Sequence, residues 1–182
     1  KGYAPNQMSN AFYPLFPFLI KIFRPLFLNH SMMTGLILAN LFSLVFVVFF
    51  YKFVKNLFEA ETAFSASLIL LAFPTSFYLS LIYTESLFLM LVIIFFYFLY
   101  QRKFLPTLFS AFLLPLARPQ GVLLLVPLGV FLFLHGARKN WKYLLPLGLI
   151  GGGLIYLIFM QLSTGSFLSG ITAQKYFIGN SS

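Results

Sequence analysis

Residues 34–51 read TGLILANLFSLVFVVFFY, a stretch of eighteen residues without a charged side chain. A helix of this length extends about 27 Å at about 1.5 Å per residue, close to the thickness of the hydrocarbon core of a bilayer. Further apolar stretches follow at 63–82, 87–100, 104–117, 122–134 and 143–162. The sequence therefore predicts an all-α fold, a polytopic membrane helical bundle with about six spanning helices.

The composition excludes soluble classes of protein. Of the 182 residues, 60% are hydrophobic and 20% aromatic, and only 8% are charged, against about 25% in a soluble domain. A water-soluble enzyme, a disordered tail and a nucleic-acid binder are all excluded by these values. The net charge of +9 indicates membrane lipids with anionic headgroups as partners, and no nucleic acid. The sequence has no Cys, and nothing in it predicts a cofactor.

The first apolar stretch, 12–28, differs from the others because it carries positive charge. Residues spaced alternately by three and four positions lie on one stripe of a helix. In this stretch they are Pro14, Pro17, Lys21, Arg24 and Leu28. A stripe with two cations beside an apolar surface favours a helix that lies in the headgroup plane. A short spanning helix with snorkelling ends is the alternative. We therefore expect an N-terminal interfacial helix in front of the spanning bundle.

Every second loop between the apolar stretches is basic. The cations of these loops are Lys52, Lys55, Arg102, Lys103, Arg138, Lys139 and Lys142. The positive-inside rule predicts that they are cytoplasmic. If the first helix does not cross the membrane, the N-terminal segment, the alternate turns and the C-terminal tail share the extracytoplasmic face.

The chain is predicted to form a single membrane domain over residues 1–182. Residues 1–30 are an outer-face segment with the interfacial helix, 31–162 are the helical bundle, and 163–182 are an outer-face tail. The chain begins with Lys1, and no signal peptide precedes the first apolar stretch. We therefore expect it to be a piece of a longer protein, or a processed or trimmed one.

Glu85 lies in the polar sequence YTES, residues 83–86, between two apolar stretches. A carboxylate in that position is unfavourable unless it is paired, caps a helix or faces water. One interpretation is that Glu85 faces a substrate. The other is that it only begins the next helix, where the helix dipole favours an acid.

Arg118 lies in the sequence ARPQG, residues 117–121, and is the only cation in the outer-face turns between helices. Pro119 would begin a helix well, and Gly121 allows another backbone to approach closely. A planar guanidinium is suited to hold a phosphate. The alternatives are an anchor to lipid headgroups or a partner for Glu85. No metal site is predicted, because neither histidine has companions at ligand spacing.

Several short motifs occur together in a familiar order. They are GY at 2–3, NAFYPLFP at 10–17, FPTSFYLS at 73–80, YTES at 83–86, ARPQG at 117–121, GSF at 165–167 and AQ at 173–174. In this order and spacing they resemble the membrane mannosyltransferases typified by the second mannosyltransferase of GPI-anchor assembly, and its bacterial relatives. The resemblance extends over nearly all of the chain.

The resemblance implies a glycosyltransferase of the GT-C class with a GT-C-like fold. Such enzymes transfer mannose or another hexose, with inversion, from a polyprenyl- or dolichyl-phosphate-linked sugar to a glycan, glycolipid or protein acceptor on the extracytoplasmic side. Relatives carry the presumed catalytic Asp in a Trp-Asp pair shortly before Gly-Tyr. That position lies upstream of Lys1, so the piece is expected to be inactive by itself. Glu85 is the alternative base.

Given that chemistry, Arg118 and Lys175 are candidates to bind the phosphate, and Tyr13, Glu85 and Gln174 are candidates to line the sugar or acceptor pocket. Where the family has an Asp after the last Gly, this chain has Ser166. The Phe- and Lys-rich composition favours a bacterial plasma membrane over the endoplasmic reticulum. A secondary transporter or flippase module and a non-catalytic membrane subunit are the alternative functions. A transporter predicts two related halves with broken helices, which the sequence does not contain.

Overall fold

The computed structural model describes residues 13–135, 144–170 and 172–173, and in these residues it contains helices and no strands. The α-helices are α1 (Leu15–Phe23), α2 (Ser31–Lys55), α3 (Ala60–Ala72), α4 (Glu85–Tyr100), α5 (Phe104–Ala117), α6 (Leu125–His135) and α7 (Leu145–Thr164). Short 3₁₀ helices connect some of them, at Arg24–Phe27, Pro74–Ser80 and Pro119–Leu124. The predicted all-α class is confirmed for the described residues.

Two of the described helices are long and apolar enough to cross a membrane, α2 with 25 residues and α7 with 20. The pair formed by α3 and the 3₁₀ helix Pro74–Ser80 is bent by 84°, so it is either one broken span or a re-entrant loop. Helices α4 and α5 are apolar but shorter, with 16 and 14 residues. The larger number of spans predicted from the sequence therefore stays a prediction.

The bend after α3 has a local cause at Pro74. A residue that precedes proline is disfavoured in helical conformation, and Phe73 is accordingly extended, with φ −64° and ψ 136°. The chain then continues as the 3₁₀ helix Pro74–Ser80. In this way the segment 73–84 folds back beside the beginning of α4.

The larger helices pack as a row in the order α7, α5, α4 and α2, with α3 against α2. Helix α1 lies across one end of the row, in contact with α2 and α5. The fully buried side chains of the core include Phe95, Leu114, Leu128 and Leu149. Large apolar side chains also cover the outside of the bundle, as expected of a protein surrounded by lipid.

The contact between α5 and α7 depends on glycines. Helix α7 is unbroken from Leu145 to Thr164, although it contains Gly148 and the glycines at 151–153. Its Gly148 and Gly152 face the backbone carbonyl groups of Leu108 and Phe112 in α5. Small residues four apart let two helix backbones approach closely. These glycines therefore act in helix packing.

Gly152→Ala is predicted to destabilise the bundle. The added Cβ would clash with the carbonyl oxygen of Phe112, and such overpacking costs about 1–3 kcal/mol. Gly153→Ala is the matched control, because its Cβ would meet only the Val122 side chain at 3.8 Å, an ordinary contact. Thermal unfolding in detergent should give a lower Tm for Gly152→Ala alone. Equal Tm values for the two variants would contradict this account of the helix crossing.

The end of the bundle opposite α1 carries the described basic loops. The hydroxyl of Tyr100, at the end of α4, donates a hydrogen bond of 3.3 Å to the carbonyl oxygen of Asn56, just after α2. Lys52 and Lys103 lie over aromatic rings at the same end, 5.6 and 5.7 Å from the ring centroids. Because α4 and α5 have similar lengths, Glu85 and Arg118 lie at the other end.

Candidate functional site

Glu85 and Arg118 are brought together by the hairpin of α4 and α5. Only residues 101–103 separate the two helices, so they run antiparallel, and the first residue of α4 meets the end of α5. Glu85 is the first residue of α4, and Arg118 directly follows α5. Arg118 is extended, with φ −156° and ψ 152°, as the Pro119 that follows it favours.

The two side chains form an ion pair, with 3.1 Å between Nη1 of Arg118 and Oε1 of Glu85. They are 33% and 29% exposed, respectively. The second carboxylate oxygen, Oε2, is shielded from solvent and has no hydrogen-bond partner among the described residues. An unsatisfied buried acceptor costs about 1–3 kcal/mol. Three roles were considered for Arg118 from the sequence: binding a phosphate, anchoring to lipid headgroups and pairing with Glu85. The structure shows the pairing with Glu85.

The ion pair is also part of the wall of a cavity of about 310 Å³, which we call the site cavity. The remaining walls come from α1 and its N-terminal flank and from the turns on either side of the pair. They are Tyr13, Phe16, Pro17, Ile82, Tyr83, Thr84, Ala117, Pro119 and Gln120. Three of the residues predicted from the sequence, Tyr13, Glu85 and Arg118, therefore line one cavity. The other two, Gln174 and Lys175, lie outside the described residues.

The turn that carries Arg118 is held tightly against α5. Pro119 begins a 3₁₀ helix, and the Gly121 amide donates a hydrogen bond of 3.0 Å to the carbonyl oxygen of Arg118. A Cβ at Gly121 would clash with the backbone of Leu114. Both expectations for this motif, a helix start at Pro119 and a close backbone approach at Gly121, are confirmed. The guanidinium of Arg118 therefore extends from a compact turn.

Tyr13 fixes the beginning of α1 to α7. Its ring stacks on the ring of Tyr156, with 4.3 Å between centroids and 8° between planes. Burial raises the pKa of the Tyr13 phenol above its ordinary value, so this hydroxyl stays protonated at physiological pH. Tyr156 could not be predicted from the sequence, because a single tyrosine within an apolar helix gives no signal of its partner.

An apolar groove of about 570 Å³ adjoins the site cavity and lies between α1, α5 and α7. Pro17 of α1 lines both spaces. The groove is walled by Pro14, Leu15, Phe18, Lys21, Leu113, Leu116, Ile155 and Phe159. Lys21 is the charged residue in this lining. The site therefore combines a charged cavity with an apolar space of a size suited to a ligand chain.

The residues that could bind a metal are few in the described part of the chain. No group of three His, Cys, Asp or Glu side chains within reach of one ion occurs there. The described lining of the site cavity offers one guanidinium, one carboxylate and nearby hydroxyl groups.

Comparison with known proteins gives a match to a family model described as dolichyl-phosphate-mannose-protein mannosyltransferase, over residues 10–163. That range includes most of the chain and contains Tyr13, Glu85 and Arg118. No match to the chain was found among curated proteins or among solved structures.

Proposed function

This chain belongs to the dolichyl-phosphate-mannose-protein mannosyltransferase family of membrane glycosyltransferases, and on that premise we propose that it binds a polyprenyl- or dolichyl-phosphate-linked sugar and takes part in transfer of its hexose. The sugar is mannose or a related hexose. The acceptor is a glycan, glycolipid or protein hydroxyl. The closer resemblance, to the second mannosyltransferase of GPI-anchor assembly and its bacterial relatives, and the GT-C fold belong to this proposal.

The observation that supports it most directly is Arg118 in the wall of the site cavity, beside an apolar groove. One nitrogen of the guanidinium contacts Glu85. Among the described residues no other partner of the guanidinium is seen, so its remaining N–H donors can meet phosphate oxygens. Breaking the sugar–phosphate bond leaves negative charge on the phosphate. A fixed guanidinium stabilises that charge without reorganisation.

The apolar groove supplies the place for the carrier's hydrocarbon chain. A polyprenyl tail needs an apolar channel that starts close to the phosphate, and the groove adjoins the site cavity at Pro17. Lys21 in the groove wall adds a second positive charge near the carrier. In the same proposal Lys175 assists at the phosphate, and Tyr13, Glu85 and Gln174 line the sugar or acceptor pocket.

Transfer with inversion requires a base that removes the proton of the acceptor hydroxyl. The resemblance assigns that role to an Asp upstream of Lys1, with Glu85 as the alternative base. Glu85 lines the cavity, and its Oε2 has no hydrogen-bond partner among the residues the structure describes. Glu85 is therefore a substrate-facing residue whichever of the two residues is the base.

Binding of farnesyl phosphate to the chain in phosphatidylcholine nanodiscs tests the proposed function. Farnesol is the matched control, because it has the same chain and lacks the phosphate. We expect native mass spectrometry to show binding of farnesyl phosphate and much weaker binding of farnesol, since the guanidinium recognises the phosphate. Equal binding of the two compounds, or none, would contradict it and would favour a non-catalytic subunit.

The proposal places the site on the extracytoplasmic face of a bacterial plasma membrane, with the basic loops in the cytoplasm. Because the sequence has no Cys, single cysteines report each side cleanly. Gln120→Cys and Ser166→Cys are predicted to react with an impermeant maleimide added to intact cells, and Lys103→Cys only after lysis. All three positions are exposed. The reverse pattern would overturn the orientation.

A further inference from the structure

Glu85 forms part of the wall of two cavities. Besides the site cavity, it lines a space of about 200 Å³ between α2, α3, α4 and the 3₁₀ helix Pro74–Ser80. We call this space the rear cavity. Its lining includes Phe46, Leu70, Thr75, Tyr78 and Leu89. This space is smaller than the site cavity and the apolar groove, so it suits a single small ring better than a chain of rings.

Two side-chain hydrogen bonds hold the backbone beside the rear cavity. The side-chain amide of Asn40 donates a hydrogen bond of 3.3 Å to the carbonyl oxygen of Ser80. The hydroxyl of Ser76 donates another to the carbonyl oxygen of Leu70. Asn40 lies about 14 Å along α2 from Ser31, at about 1.5 Å per residue. Non-helical backbone at such depth is tolerated where it lines a cavity or is buried in protein.

Two exposed aromatic rings, one in the wall of each cavity, are in contact with each other. Tyr78 lines the rear cavity, Tyr83 lines the site cavity, and their centroids are 5.7 Å apart. Phe77 stacks on Tyr78 at 4.3 Å. Tyr78 and Tyr83 are 40% and 47% exposed. Exposed ring faces stack well on the C–H face of a sugar ring, whose hydroxyl groups remain free for polar partners.

The two carboxylate oxygens of Glu85 differ in their contacts. Oε1 contacts Arg118, and Oε2 has no hydrogen-bond partner among the described residues although it is shielded from solvent. A ligand hydroxyl would supply the hydrogen bond that Oε2 lacks. No cation is among the described residues that line the rear cavity, so this space is suited to a neutral ligand and not to a phosphate.

We propose that the rear cavity binds the sugar ring of a neutral acceptor, with Tyr78 stacked on the ring and a hydroxyl group of the ring donating a hydrogen bond to Oε2 of Glu85. This inference rests on the proposed function, because an acceptor is needed only if the chain takes part in sugar transfer. Glu85 then separates the two substrates, with the donor phosphate on the Arg118 side and the acceptor on the Tyr78 side.

Saturation-transfer NMR with methyl α-D-mannopyranoside, on the full chain in phosphatidylcholine nanodiscs, tests the acceptor site. Tyr78→Ala is expected to weaken binding of this probe about three- to tenfold, the loss expected for one aromatic contact. Phe64→Ala is the matched control, because Phe64 is an exposed aromatic residue of α3 that lines neither cavity. It is expected to leave binding unchanged.

A second variant keeps the test decisive if Tyr78→Ala does not fold. Thr75→Leu narrows the rear cavity and leaves the aromatic rings in place, so it is also expected to weaken binding of the probe. Unchanged probe binding in both variants would overturn the inference and would leave the aromatic residues as a membrane-interface anchor. If the chain binds farnesyl phosphate but not the mannoside, this inference alone fails. If it binds neither compound, the proposed function fails as well.

Discussion

Arg118→Ala in the full-length protein is expected to lower kcat/KM for a polyprenyl-phosphate-linked sugar by about 10²- to 10³-fold, the usual effect of removing one preorganised donor from a developing anion. The reason is that Arg118 is the cation in the wall of the site cavity, 3.1 Å from Glu85. Arg118→Lys keeps the charge but loses the planar fork, so we expect an intermediate loss. Initial rates of hexose transfer from the lipid-linked donor measure both effects.

Two controls separate the loss of phosphate binding from damage to the fold. Arg102→Ala removes the same side chain at the opposite end of α4 and α5, and is expected to keep nearly full activity. Arg118→Ala also leaves the Glu85 carboxylate without its partner, so the double variant Glu85→Gln with Arg118→Ala removes that unpaired charge. This double variant should recover the Tm of the original protein but not its rate of hexose transfer from the donor. Equal losses for Arg118→Ala and Arg102→Ala would contradict a role at the phosphate.

The helices themselves could be predicted from the apolar stretches, since α5 has the predicted bounds of 104–117. Helix α2 extends beyond the predicted stretch at both ends, from Ser31 to Lys55. An apolar stretch marks only the part of a helix that lies in lipid. The helix itself continues through backbone hydrogen bonds into polar residues, whose side chains snorkel or face water. The number of spans could not be fixed in this way, because length alone does not decide whether a short apolar helix crosses or lines a cavity.

The pairing of Glu85 with Arg118 also had a signal in the sequence. Two helices of similar length joined by a three-residue turn, 101–103, must bring their far ends level. The stacking of Tyr13 on Tyr156 had none, since these residues are far apart in the chain and the pattern of α7 is apolar all round. The same holds for Tyr78. The position of Tyr78 depends on the bend at Pro74. The direction of this bend is decided by the packing of the 3₁₀ helix Pro74–Ser80 against α2 and α4.

Reversing one charge of the ion pair is expected to destabilise the protein, and exchanging both is expected to restore stability without function. Glu85→Arg places two guanidinium groups in the same cavity, at the beginning of α4, where the helix dipole also disfavours a cation. For a pair about one-third exposed, we expect a loss of about 2 kcal/mol, between surface and buried ion pairs. Thermal unfolding in detergent measures the change.

The double variant Glu85→Arg with Arg118→Glu restores opposite charges across the cavity, so most of the lost stability should return. Binding of farnesyl phosphate should not return. The guanidinium would then extend from the first residue of α4 instead of from the turn between α5 and the 3₁₀ helix at Pro119, and its free N–H groups would point differently. Recovery of both stability and binding would show that the cavity needs only a guanidinium, whatever its position. A Glu85→Arg single variant as stable as the original protein would show that solvent screens the ion pair. The charge in the site cavity would then not be preorganised, and the proposed donor site depends on that preorganisation.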